Sequence, residues 1–137
     1  NRAIVEAVSR NEVTFGLVNH YYNYQEVASN GDAQRSANHT FASGDDGGLM
    51  IMATAAILNR SKNQDSANKL IAHLLSNGQQ RYLTDSVYEY PLAIDVEPSS
   101  VLPPTPIDAV GAVDIKDMAA EFRRTIEIIE VSGILDQ

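Results

Sequence analysis

The stretch that most restricts the fold is the continuous apolar run Leu49-Met50-Ile51-Met52-Ala53-Thr54-Ala55-Ala56-Ile57-Leu58, opened by the turn-dense Gly44-Asp45-Asp46-Gly47-Gly48. It falls well short of the roughly 20 residues that a membrane helix needs. Bounded by turns, it fits a strand covered on both faces, although periodicity alone leaves a buried helix open. A second short run, Val13 to Val18, carries β-branched and aromatic residues before a sharp change to polar ones, and also reads as a buried strand. These runs alternate with helical patterns, which implies an α/β architecture.

Those helical patterns are of uneven strength. Ile4, Ala7 and Val8 share one face of a helix over about Arg2–Arg10. Tyr24–Ser29 suits one short helix inside an otherwise polar connection from Asn23 to Ser43. The clearest helix follows Asn63, a candidate cap, with Asp65 in its first turn and Ala67, Leu70, Ile71, Leu74 and Leu75 on one stripe. Ser76-Asn77-Gly78 ends it, and a short helix is predicted over Gln79–Asp85. Val87–Ile94 reads as extended, with Pro91 arguing against a central strand. Glu97 to Pro106, rich in proline, reads as a linker-like crossing outside the core. Asp114 is placed to cap a long last helix whose buried stripe would be Met118, Phe122, Ile126 and Ile129, with Gly133 as its stop.

Composition narrows the function. The 137 residues carry a formal net charge of -8 with 10 Lys and Arg, so a nucleic-acid partner is not expected. There is no cysteine, which removes thiol nucleophiles, disulfides and zinc–thiolate sites together. His20, His39 and His73 lie far apart, and no Gly-x-Ser-x-Gly nucleophile elbow is present, so an α/β hydrolase or transferase has little support. Asp45 and Asp46 lack the longer alternation of oxygen ligands of a calcium loop. The chain opens on Asn1, already in a helical pattern and without a basic-then-apolar leader, and reads as a piece of a longer chain.

The chemistry that remains is phenolic. Asn19-His20-Tyr21-Tyr22 follows the Val13–Val18 run, and a strand there would deliver these residues to its carboxyl end, where ligands bind in open α/β sheets. A phenolate is a hard anionic ligand suited to a cation such as Fe³⁺, provided the metal displaces a proton whose pKa is about 10. Neighbouring strand residues point to opposite faces, so both rings can reach one ion only if the backbone turns. The plainer alternative is one core Tyr and one surface Tyr. Asn19 could donate its amide to an anion or only close a turn. His20 could ligate a metal or be an ordinary hydrogen-bonded residue.

In order and spacing, several pieces together resemble a known family. They are Gly16-Leu17-Val18-Asn19-His20-Tyr21-Tyr22, Gly44-Asp45 with Gly47-Gly48-Leu49, Ser61-Lys62-Asn63, Leu74-Leu75-Ser76 with Gly78-Gln79, and Glu89-Tyr90-Pro91-Leu92. The set resembles the carboxyl-terminal half of bacterial ferric-iron ABC-transporter substrate-binding proteins, which are two-lobed, periplasmic-binding-protein-like and of type II. One departure is Asp46, where Gly-Asp-Pro-Gly is expected.

The resemblance implies a fragment of the two-lobed fold, a mixed sheet with flanking helices. Residues 1–50 would belong to the second lobe, 51–100 to the first, and 101–137 would return to the second with the last helix. It implies that Tyr21 and Tyr22 are phenolate ligands of Fe³⁺ and that Asn19 helps hold a synergistic anion, carbonate or phosphate. The implied partners are an ABC-transporter permease and the amino-terminal half of the same protein. The implied location is the periplasm or a cell-surface lipoprotein, and no enzymatic activity is implied. Without its partner strands the piece would expose apolar surface and self-associate. The same fold could instead bind a phosphonate, a polyamine or an iron chelate, with the tyrosines stacking on it.

Overall fold

Asn1 leads into α1 (Arg2–Ser9), which buries Val5 against the chain that follows. The helix ends because Asn11 adopts a left-handed conformation, φ 58°. The Asn11 amide then donates to the Val8 carbonyl and the Glu12 amide to the Ala7 carbonyl, each at 2.9 Å. This paired closure satisfies two carbonyls that a helix end leaves open, with Asn in the role usually filled by glycine. Arg10 reaches back to Glu6 at 3.4 Å and forward to Glu12 at 2.7 Å.

In this computed structural model, residues 1–42, 44–45, 47–48, 50–104 and 115–134 are described. They include α2 (His20–Asn30), a 3₁₀ turn (Gly31–Ala33), α3 (Gln64–Leu74), α4 (Asn77–Tyr82), a π turn (Leu83–Val87) and α5 (Ile115–Ser132). Contacts divide the chain into two compact units, Asn1–Thr40 with Met52–Pro106, and Phe41–Ile51 with Ile107–Gln137. No helix among the described residues is long and apolar enough to cross a membrane.

The mixed sheet is not observed: no strand is present among the described residues. Val13–Val18 is irregular, with Phe15 79% and Leu17 82% exposed. A strand needs a ladder of partner N–H and C=O groups, and apolar patterning cannot create one. Gly16 instead lets this segment pass against α1, where a Cβ would run into the Ile4 side chain. The apolar run fares the same way. Its described residues, 50 to 58, are irregular, and Ile51 and Leu58 are exposed. Leu49 and Asp46 lie outside the described residues.

The helical expectations hold more closely. Observed α1 and α3 match the predicted spans to within a residue or two, and α4 with the π turn fills the region predicted as a short helix. Asn63 stands at the start of α3 but makes no side-chain capping bond. Ser76 does cap α4, its hydroxyl accepting from the Gln79 amide at 3.3 Å. The last helix ends at Gly133 with φ 65°. Its expected cap, Asp114, and the Met118 side chain lie outside the described residues. The rest of its expected buried stripe is not buried: Phe122 and Ile126 are exposed and Ile129 is half-buried.

The first unit is held by polar side chains as much as by apolar ones. Its buried apolar residues are Val5, Val96 and Leu102, beside buried Asn23, Glu26, Gln80 and Thr84. Leu102 corrects the expectation that the proline-rich crossing stays outside the core. Gln80 donates to the Leu74 carbonyl at 2.8 Å and accepts from the Leu92 amide at 2.7 Å. Thr84, fully buried, accepts from the Ser99 amide at 2.8 Å. On α2, which packs against α1, Glu26 pairs with Arg2 at 3.2 Å and accepts from Asn30. Buried polar groups of this kind are tolerated because each has its partner.

Candidate functional site

The tyrosine pair sits in the first turn of α2, not at a strand end. Asn19 is the extended residue just before the helix, φ -68° and ψ 140°. Its side chain makes no capping bond to the helix amides. It donates from Nδ2 to the Tyr21 hydroxyl at 3.0 Å. The Asn19 carbonyl accepts from the Tyr22 amide at 3.2 Å, so one residue contacts the phenol of one tyrosine and the backbone of the next.

Successive helical residues diverge by about 100° around the axis. Here the side chains close that gap: the Tyr21 and Tyr22 ring centroids are 4.6 Å apart with planes tilted by 40°. Both residues are half-buried, so neither is sealed in hydrocarbon. The helix N-terminus also places the positive end of the backbone dipole beside any phenolate that forms.

The two phenols differ in acidity. Hydrogen bonding with Tyr22 pushes Tyr21 above its ordinary value, with Asn19 pulling the other way and the nearby Glu89 charge adding to the rise. Hydrogen bonding to Asn1, then to Tyr21, draws Tyr22 below its ordinary value.

His20, between Asn19 and the pair, is turned elsewhere. Its Nε2 lies 2.8 Å from the Tyr88 carbonyl, so this nitrogen carries the proton and donates. The ring packs tilted on Tyr90 at 5.2 Å and edge-on to Tyr21 at 5.8 Å and Tyr24 at 6.3 Å. Tyr24 in turn packs on Tyr88 at 5.9 Å. Burial raises the Tyr90 phenol, with a further push from Tyr24, and its hydroxyl donates to the Pro103 carbonyl at 3.1 Å. Tyr88 and Tyr90 belong to the Val87–Ile94 segment that reads as extended, and the sequence carries no signal that its partner is His20, because nothing local links positions 68 residues apart.

Among the described residues, no three of His, Cys, Asp and Glu gather where they could hold a metal ion. The oxygen-bearing side chains that do lie together are the Tyr21 and Tyr22 phenols, ring centroids 4.6 Å apart. Asp45 bonds locally, its carboxylate accepting from the Gly47 amide at 2.7 Å.

No protein-family model matches the chain. It is nevertheless similar to bacterial proteins named for binding ferric iron. Over 92 residues, 67% of this chain, it is 32% identical to the major ferric iron-binding protein of Neisseria gonorrhoeae. Over 93 residues it is 34% identical to the protein of the same name from Neisseria meningitidis. Over 137 residues it is 22% identical to the Fe(3+)-binding periplasmic protein of Serratia marcescens. The chain spans 28% of the Neisseria proteins and 40% of the Serratia protein.

Proposed function

We propose that this chain is the carboxyl-terminal part of an extracytoplasmic solute-binding protein that carries ferric ion to the permease of an ABC importer. The reading draws on the similarity to ferric iron-binding proteins. The observation that carries it is the pair of half-buried phenols, ring centroids 4.6 Å apart, with Asn19 on one hydroxyl. Ferric ion is a hard trivalent cargo, and two phenolates neutralise most of its charge. Each phenol loses its proton as the metal binds it.

Asn19 has two amide hydrogens, and one serves Tyr21. The other is free to hold a carbonate or phosphate oxygen that completes the coordination sphere. Remaining ligands come from the amino-terminal half. Lobe closure on the ion is the signal to the permease. No covalent step is involved. The compartment is the periplasm or the outer face of the cell membrane.

The test uses the full-length protein. Ferric ion added with bicarbonate or phosphate is expected to give a visible phenolate-to-iron charge-transfer band, lost in the double variant Tyr21→Phe, Tyr22→Phe. An identical band in that variant would end the proposal. Stabilisation by an organic solute, with no response to ferric ion, would redirect it to that ligand class.

A further inference from the structure

We infer that His20 is a positioning residue for the tyrosine pair, and that it acts by fastening the first turn of α2 to the Tyr88–Tyr90 segment. The inference rests on the iron-binding reading above. His20 begins α2 and directly precedes both phenols. It is held from two sides by groups remote in sequence. Its ring nitrogen donates to the Tyr88 carbonyl at 2.8 Å, and its own carbonyl accepts from Asn38 Nδ2 at 3.0 Å. One turn further along, Gln25 Nε2 reaches the Val87 carbonyl at 3.4 Å. Together these bonds fix the rotation of α2 about its axis, and that rotation decides where the Tyr21 and Tyr22 rings emerge.

The receiving segment is shaped for the contact. Leu83–Val87 forms a π turn, an uncommon geometry that often marks functional positions. Tyr88 then takes a left-handed conformation, φ 67° and ψ 32°, which is costly for a bulky residue. This turn presents the Tyr88 carbonyl to the His20 ring, while the Tyr88 ring packs on Tyr24 of the same helix. Tyr90 closes over the other face of His20. Neither tyrosine of the pair accepts a bond from His20. Its influence on them is orientation alone.

Two substitutions separate the donor from the ring. His20→Phe keeps an aromatic ring for Tyr90, Tyr24 and Tyr21 but removes the N–H. His20→Gln loses the ring but keeps an amide donor of similar reach. In the full-length protein loaded with ferric ion and phosphate, His20→Phe is expected to shift the charge-transfer band at saturating iron. Loss of groups that orient metal ligands typically costs about 10- to 100-fold in affinity, and a weakening of that order is expected here. His20→Gln is expected to restore the band position and most of the affinity. Asn38→Ala, which frees the same turn from its other side, is expected to give a smaller shift of the same sign, and it keeps the test decisive if His20→Phe does not fold.

A wild-type band with an unchanged His20→Phe spectrum would overturn the role of His20 and leave the iron reading standing. So would a His20→Gln protein as impaired as His20→Phe. Absence of any band in the wild type would overturn both.

Discussion

The region around Gln80 and the helix α5 show two ways in which a segment is specified. Around Gln80 each buried polar atom has a partner elsewhere in the chain: Leu74, Leu92 and Ser99 each supply one backbone group to the Gln80 or Thr84 side chain. Along α5 the bonds of Thr125, Ser132 and Arg124 are local. Thr125 and Ser132 bond carbonyls one turn back, and Arg124 pairs with Glu121 at 3.8 Å. Phe122, Ile128 and Val131 are 67%, 60% and 89% exposed. The first region is tied by bonds to groups elsewhere in the chain, whereas these three bonds of α5 stay within the helix. The amphipathic pattern of α5 accompanies an exposed face, so patterning alone does not tell a buried face from an exposed one.

Three measurements would break or sharpen that contrast. The largest effect is expected from Gln80→Ala, which strands the Leu92 amide and the Leu74 carbonyl in a partly buried setting. A loss of about 2–3 kcal/mol in urea unfolding is expected. A change indistinguishable from zero would mean that the Gln80 bonds do not hold this region. A smaller effect is expected from Phe122→Ala, within about 0.5 kcal/mol for an exposed site. The same substitution should reduce self-association of the 137-residue chain in light scattering, since exposed apolar side chains are what such a chain has to bury. A large loss of stability would show that Phe122 already has a partner.

The smallest effect concerns pH. The Arg10 guanidinium, by hydrogen bond and charge, holds the Glu12 carboxyl below its ordinary range of about 4.3. A depressed carboxyl stabilises the fold in full above its unfolded value, and that contribution fades as pH falls through the lower folded value. Both side chains are more than half exposed, so the contribution is slight. A carbon-13 titration of Glu12 should show the depressed midpoint, and Arg10→Ala should return it to normal.

The candidate site was legible in part. Tyr21, Tyr22 and Asn19 could be singled out because two adjacent phenols beside an amide are unusual on a polar turn, and the structure does bring these three together. Their setting is not legible in the sequence. Val13–Val18 has strand-like composition, but it finds no ladder, Val13, Phe15 and Leu17 are exposed, and the tyrosines open a helix. The role of His20 is not legible in the sequence because its partner, the Tyr88 carbonyl, depends on a π turn and a left-handed residue that no short-range pattern announces.

What the sequence determined by itself was local. Helix periodicity, the Gly133 stop, the absence of thiol chemistry and the juxtaposed phenols all follow from residues within a few positions of one another, where backbone sterics and short loops dominate. What only the tertiary structure decided was which apolar runs are buried and how α2 is rotated. Both depend on hydrogen bonds and contacts between distant residues, and the free energy of closing such contacts is a property of the whole chain rather than of any segment in it.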